Sequence, residues 1–116
     1  MTADLIATLE GLTQPSREAD ALISKTLLNY ADVERDGPAG WKKVPDYTAS
    51  LDAAIALVER VLPGLHRNMM HHPDGESFAG LSVPGGEEVG IAFHRSSEAI
   101  ALLIALLRAK EAKDGN

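Results

Sequence analysis

The chain has 116 residues, of which 45% are apolar and 24% charged, with a formal net charge of −6 and no cysteine. That balance belongs to a single folded domain with its own core rather than to a disordered chain. The missing thiols exclude disulfides, thiolate metal sites and a cysteine nucleophile, and the acidic excess argues against nucleic acid as the partner.

Leu5, Ile6, Leu9 and Leu12 recur at helical spacing, which predicts a short amphipathic helix over residues 3–12 that Gly11 weakens or ends. Pro15-Ser16 opens a second helix, with Ser16 as its cap and Glu18 and Asp20 near its positive end. The apolar stripe expected for it is Ala19, Leu22, Ile23, Leu27 and Tyr30. Residues 31–46 carry Asp36-Gly37-Pro38 and Gly40 and read as a loop, with a short strand at Trp41 to Val44 as one option. A third helix follows over 47–63, starting at Thr48 or Ser50, buried along Leu51, Ala54, Ile55, Val58 and Leu62, and stopped by Pro63-Gly64.

Beyond residue 64 the period changes from 3.6 to 2. Leu65–His72, Glu76–Val83 and Glu87–His94 read as strands joined by Pro73-Asp74-Gly75 and Pro84-Gly85-Gly86. Connections that short require antiparallel neighbours, so residues 64–95 form a three-stranded meander. In its third strand Val89, Ile91 and Phe93 share one face, and Gly90 and Ala92 stand on the other, where a wetted strand would carry charges. The last helix, 97–112, has Ile100, Leu103, Ile104 and Leu107 on one stripe and Leu102 and Leu106 beside it, a breadth that implies burial on more than one side. The expectation is an α+β domain, a three-layer α/β/α sandwich of one small meander and four helices. The longest apolar run, Ala99 to Leu107, is far short of the ~20 residues that span a bilayer, and Met1-Thr2-Ala3-Asp4 lacks the features of a signal peptide. A cytoplasmic protein without a membrane partner is expected.

The candidate chemistry is sparse. His66, His71, His72 and His94 offer imidazole ligands, but adjacent residues on a strand point to opposite faces, and no HExxH-like spacing is present. His66, His72 and His94 remain the candidates for a metal- or ligand-binding domain or a small enzyme, against the ordinary reading as surface or turn-flanking side chains. The glycine-rich Pro84–Gly90 segment leads into a strand and carries Glu87 and Glu88, so a hairpin explains it better than a phosphate cradle. No GxSxG elbow exists, and Ser50, Ser96 and Ser97 sit where helix caps belong. The one aromatic–basic cluster is Trp41, Lys42, Lys43 and Tyr47, the candidate interaction site, which would suit a protein partner or a stacked base. Its ordinary reading is a tryptophan folded over the sheet edge beside two solvated lysines.

Two stretches carry a family resemblance. Pro45-Asp46-Tyr47-Thr48-Ala49-Ser50-Leu51-Asp52-Ala53-Ala54 is similar to the P-x-Y-T-x-S-x-D-A-A segment of the phage α/β/α-sandwich domain proteins, and Ser97 to Ala109 resembles their alanine- and leucine-rich C-terminal helix. The segment from Leu9-Glu10 to Pro15-Ser16-Arg17-Glu18 fits as well. The chain departs from the pattern after the third helix, where relatives show a tryptophan-rich strand and this chain has Leu65-His66-Arg67-Asn68-Met69-Met70. The resemblance implies phage or prophage origin and a sheet covered on both faces, and it supplies no catalytic residues and no cofactor. The resulting expectation is a non-enzymatic accessory protein that binds another macromolecule, an unidentified protein partner, with a homodimer through the last helix or the Leu65–His72 edge as a further reading.

Overall fold

The computed structural model describes residues 2–28, 44–71, 75–82, 88–94 and 97–114. In chain order these form α1 (Thr2–Glu10), α2 (Arg17–Leu28), α3 (Leu51–Val61), β1 (His66–His71), β2 (Ser77–Ser82), β3 (Glu88–His94) and α4 (Glu98–Asp114). The fold is α+β: among the described residues, four helices accompany one antiparallel sheet of order β1-β2-β3. No described helix is long and apolar enough to cross a membrane.

Local chemistry sets the helix ends. Gly11 closes the last turn of α1 by donating its amide to the Ala7 carbonyl. Ser16, Ser50 and Ser97 each accept, through the side-chain hydroxyl, the amide of the residue three positions on: Ala19, Ala53 and Ile100 respectively. Each such cap contributes about 1 kcal/mol. After α3 the chain passes through Leu62 to Gly64, whose φ of 88° is the left-handed conformation that glycine adopts without strain.

α4 is the centre of the molecule. Every residue from Ala99 to Leu107 is buried, and so is Ala109. One side lies on β2 and β3, and other sides meet α1 and α3. The breadth of apolar sequence on this helix thus matches partners on several sides. Leu5, Ile6 and Leu9 of α1, and Ala54, Leu57 and Val58 of α3, complete the core around it.

The sheet meets α4 through its smallest residues. The register places Ala79 opposite Ala92 and Leu81 opposite Gly90, then skips Val89 to pair Ser82 with Glu88. A Cβ built on Gly90 would lie 2.1 Å from the Ala105 carbonyl oxygen and 3.0 Å from the Ala109 amide nitrogen. Gly90 and Ala92 therefore face the covered side and let the helix backbone come close. The other face, expected under a second layer of helix, carries Ile91 and Met70, two exposed large apolar side chains, with Phe78 half-buried between them. α4 is the described helix that packs broadly on the sheet, and the described residues supply no second layer over the Ile91 face. Among the described residues, the small size of Gly90 and Ala92 matches the close approach of α4 on one side.

Gly90→Ala tests this contact. Its Cβ would collide with backbone, which cannot rotate away, so the variant should lose about 3 kcal/mol in urea unfolding. A loss within about 0.5 kcal/mol would mean that α4 does not approach β3 this closely.

Candidate functional site

Among the described residues, a dense polar cluster joins α2 to the turn before α3. That turn is closed by the Ala49 and Ser50 amides, which both donate to the Asp46 carbonyl. Asp20, 1% exposed on α2, accepts through Oδ1 from the Thr48 amide at 2.8 Å and the Thr48 hydroxyl at 2.9 Å. Its Oδ2 accepts from Arg17 at 3.1 Å. Arg17 also donates to the Val44 and Pro45 carbonyls and to the Asp46 carboxylate. The Thr48 hydroxyl in turn accepts the Ser16 amide at 2.9 Å, so the residue that caps α2 is itself held by the turn. Ser24, one helical turn beyond Asp20, donates to the Tyr47 hydroxyl at 3.3 Å in the core.

The cluster contains a carboxylate, a hydroxyl and a phenol, but it is built to hold elements together. Asp20, Thr48 and Tyr47 are all at most 3% exposed, and no reacting molecule reaches them in the closed fold. The carboxylate spends its acceptor capacity on groups that burial would otherwise leave unpaired. Of the expected aromatic–basic site, Tyr47 is therefore a core residue and presents no ring to a partner; its hydroxyl is engaged inside. Trp41, Lys42 and Lys43 lie outside the described residues.

The histidines are not brought together. His66 opens β1 opposite Ser82 and is exposed, whereas His94 ends β3 opposite Ser77 and is buried. They stand at opposite ends and on opposite faces of the sheet. His94 Nε2 lies 2.9 Å from the Leu12 carbonyl, an acceptor only, so this nitrogen carries the proton and ties β3 to the segment after α1. His72 falls outside the described residues. Among the described residues no three His, Asp or Glu side chains could hold one metal ion.

The exposed features converge elsewhere, on the two edges of the sheet. At the β3 edge Arg108 of α4 donates to the Ile91 carbonyl at 2.7 Å and pairs with Glu10 of α1 at 2.8 Å, so an outward strand carbonyl is already occupied. At the β1 edge, β2 pairs one side of the strand in continuous register from His66–Ser82 to His71–Ser77. Beneath its other side lies a groove of about 560 Å³ between α3 and β1, lined by Ile55, Leu65, His66, Arg67 and Met69. Arg67 reaches Glu59 of α3 at 3.2 Å in an exposed ion pair, which is worth less than about 1 kcal/mol. Sequence reasoning flagged the Leu65–His72 edge as a dimer option but missed the groove, because Ile55 and Met69 meet only in three dimensions. Comparison with known proteins finds no matching family profile, no similar curated protein and no similar solved structure.

Asp20 generates a prediction with a definite sign. Burial pushes its carboxyl above the ordinary range, against the Thr48 amide and hydroxyl and the Arg17 guanidinium, which pull it down. A carboxyl whose pKa rises on folding stabilises the fold fully below its unfolded value, and loses that contribution as pH rises through its folded value. Wild type should therefore lose stability relative to the non-titrating Asp20→Asn across that acid window and level off above it; a relative gain with pH would contradict the account. Asp20→Ala at neutral pH strands the Thr48 amide and should cost about 3 kcal/mol in chemical denaturation.

Proposed function

We propose that this chain is a non-enzymatic binding module that works in the cytoplasm through its sheet. The observation that carries the reading is the Ile91 face: Met70 is 51% and Ile91 38% exposed on one side of a sheet whose other side is packed against α4. Contiguous exposed apolar surface on a folded domain marks sites that bind protein, membrane or ligand. The polar groups with the chemistry for catalysis, Asp20 and Thr48, are sealed inside. A phage or prophage origin rests on the Pro45–Ala54 segment, the alanine- and leucine-rich α4 and the Leu9–Glu18 segment, and is part of the proposal. The competing reading, a metal or ligand site on His66, His72 and His94, has no supporting geometry in His66 and His94.

Photo-crosslinking of tag-free wild type in host lysate, beside the Met70→Asp/Ile91→Asp double variant, tests the proposal. Wild type should yield a discrete adduct that the variant loses while keeping its circular dichroism, since exposed substitutions of this kind change stability by about 0.5 kcal/mol each. Identical adducts from both proteins, or stoichiometric metal in the tag-free preparation, would overturn the reading.

A further inference from the structure

We infer that Met70 is a redox-regulated position: a peroxide-class oxidant converts its thioether to the sulfoxide and so switches off binding at the Ile91 face. The inference rests on the binding-module reading and says how that same site is regulated.

Three observations lead to it. First, the chain has three methionines and no cysteine, so no thiol of its own competes for such an oxidant. Second, the sheet treats its two adjacent methionines differently. Met69 stands opposite Ala79, on the side that α4 covers, and packs against the core. Met70 stands opposite Phe78 on the outer side and is 51% exposed, the most open of the large apolar side chains among the described residues. Third, the apolar character of the outer side depends on few groups. Gly80, opposite Ile91, adds no side chain, and Phe78 is half-buried. No Asp, Glu, Lys or Arg of β1 or β2 stands on that side, so a new polar group there meets no formal charge from either strand.

The chemistry is a two-electron oxygen transfer. The Met70 sulfur attacks one oxygen of hydrogen peroxide, an S–O bond forms as the O–O bond breaks, and sulfur is oxidised. The departing oxygen takes the proton of the attacked one and leaves as water. The product sets a strong hydrogen-bond acceptor on the face that a partner must cover, and covering it without a donor opposes binding. Two thiols, passing to a disulfide in a reductase-catalysed step, return the thioether and release the oxygen as water. The change is therefore a reversible switch on an exposed side chain, away from the core around α4.

Tag-free wild type and Met70→Leu, each treated with hydrogen peroxide and then freed of it, test this on the full chain. Peptide mass spectrometry of wild type should find one added oxygen on Met70 while Met69 remains a thioether. Circular dichroism should be unchanged, retention on a hydrophobic-interaction column should fall, and the photo-crosslinked adduct should be lost. Sulfoxide reductases of both stereospecificities, supplied with dithiothreitol, should restore retention and adduct. Met70→Leu, equally apolar but without sulfur, should keep both through the same treatment. Oxidation of Met69 ahead of Met70, unchanged retention, an adduct that survives Met70 oxidation, or its loss from peroxide-treated Met70→Leu would overturn the inference. An adduct lost by the Met70→Asp/Ile91→Asp variant but kept by oxidised wild type removes the redox inference and leaves the binding-module reading standing; identical adducts from untreated wild type and that variant remove both.

Discussion

α4 has apolar side chains around its circumference, so it can be stable in water only if something covers every side. Six of its aliphatic side chains, Ile100, Leu102, Leu103, Ile104, Leu106 and Leu107, are at most 1% exposed. Each contributes about 2 kcal/mol when withdrawn from water. The arrangement of the other elements follows from that demand. The meander covers one side, and there the cover is close enough that only glycine fits at position 90. α1 and α3 take others, and α2 is drawn in through α1 and through the turn before α3. The apolar demand of one helix thus organises a domain whose described residues form a sheet of three strands.

A core of leucine, isoleucine and alanine does not by itself select how α2 sits, because aliphatic surfaces can slide over one another. The Asp20–Thr48 bonds, Arg17 and the Ser16 amide supply direction. They join residues 27 to 32 positions apart, with the Asp20–Thr48 bonds in the interior and Arg17 at the surface. Burying a carboxyl here opposes stability, as its raised pKa indicates, and the return is a definite angle between α2 and the turn. The Pro45–Ser50 segment is this connector.

Much of the fold was legible because it is written locally. The serine caps, Gly11, Gly64 and the change from helical to alternating period lie within a few residues of the boundaries they set. The breadth of α4 announced its burial. The misreadings have a common physical source. The buried face of α2 includes Ala19 and Ile23 of the stripe expected on hydrophobicity, but also Ala21 and the polar Asp20 and Ser24, whereas Leu22 is exposed. No local rule marks a carboxylate as buried when its partner lies 28 residues away. Gly90 and Ala92 predict shielding from water, and among the described residues it is the nearness of α4 that their size matches. For the same reason Tyr47, which resembles a surface aromatic beside two lysines, belongs to the core.

The surface mirrors this division. One edge of the sheet is tied to α1 and α4 by Arg108, and the other stands beside a groove lined by Ile55, Leu65, His66, Arg67 and Met69. Burial is concentrated on α4, where every residue from Ala99 to Leu107 is buried, whereas His66, Asn68 and Met70 of β1 are exposed. Native-state hydrogen exchange measures that gradient directly. The account predicts that the amides of Leu102 to Leu106 exchange only through global unfolding, with an opening free energy equal to that from denaturant, while β1 opens at lower cost. Exchange in α4 through openings as small as those of β1 would contradict the claim that the buried helix organises the fold.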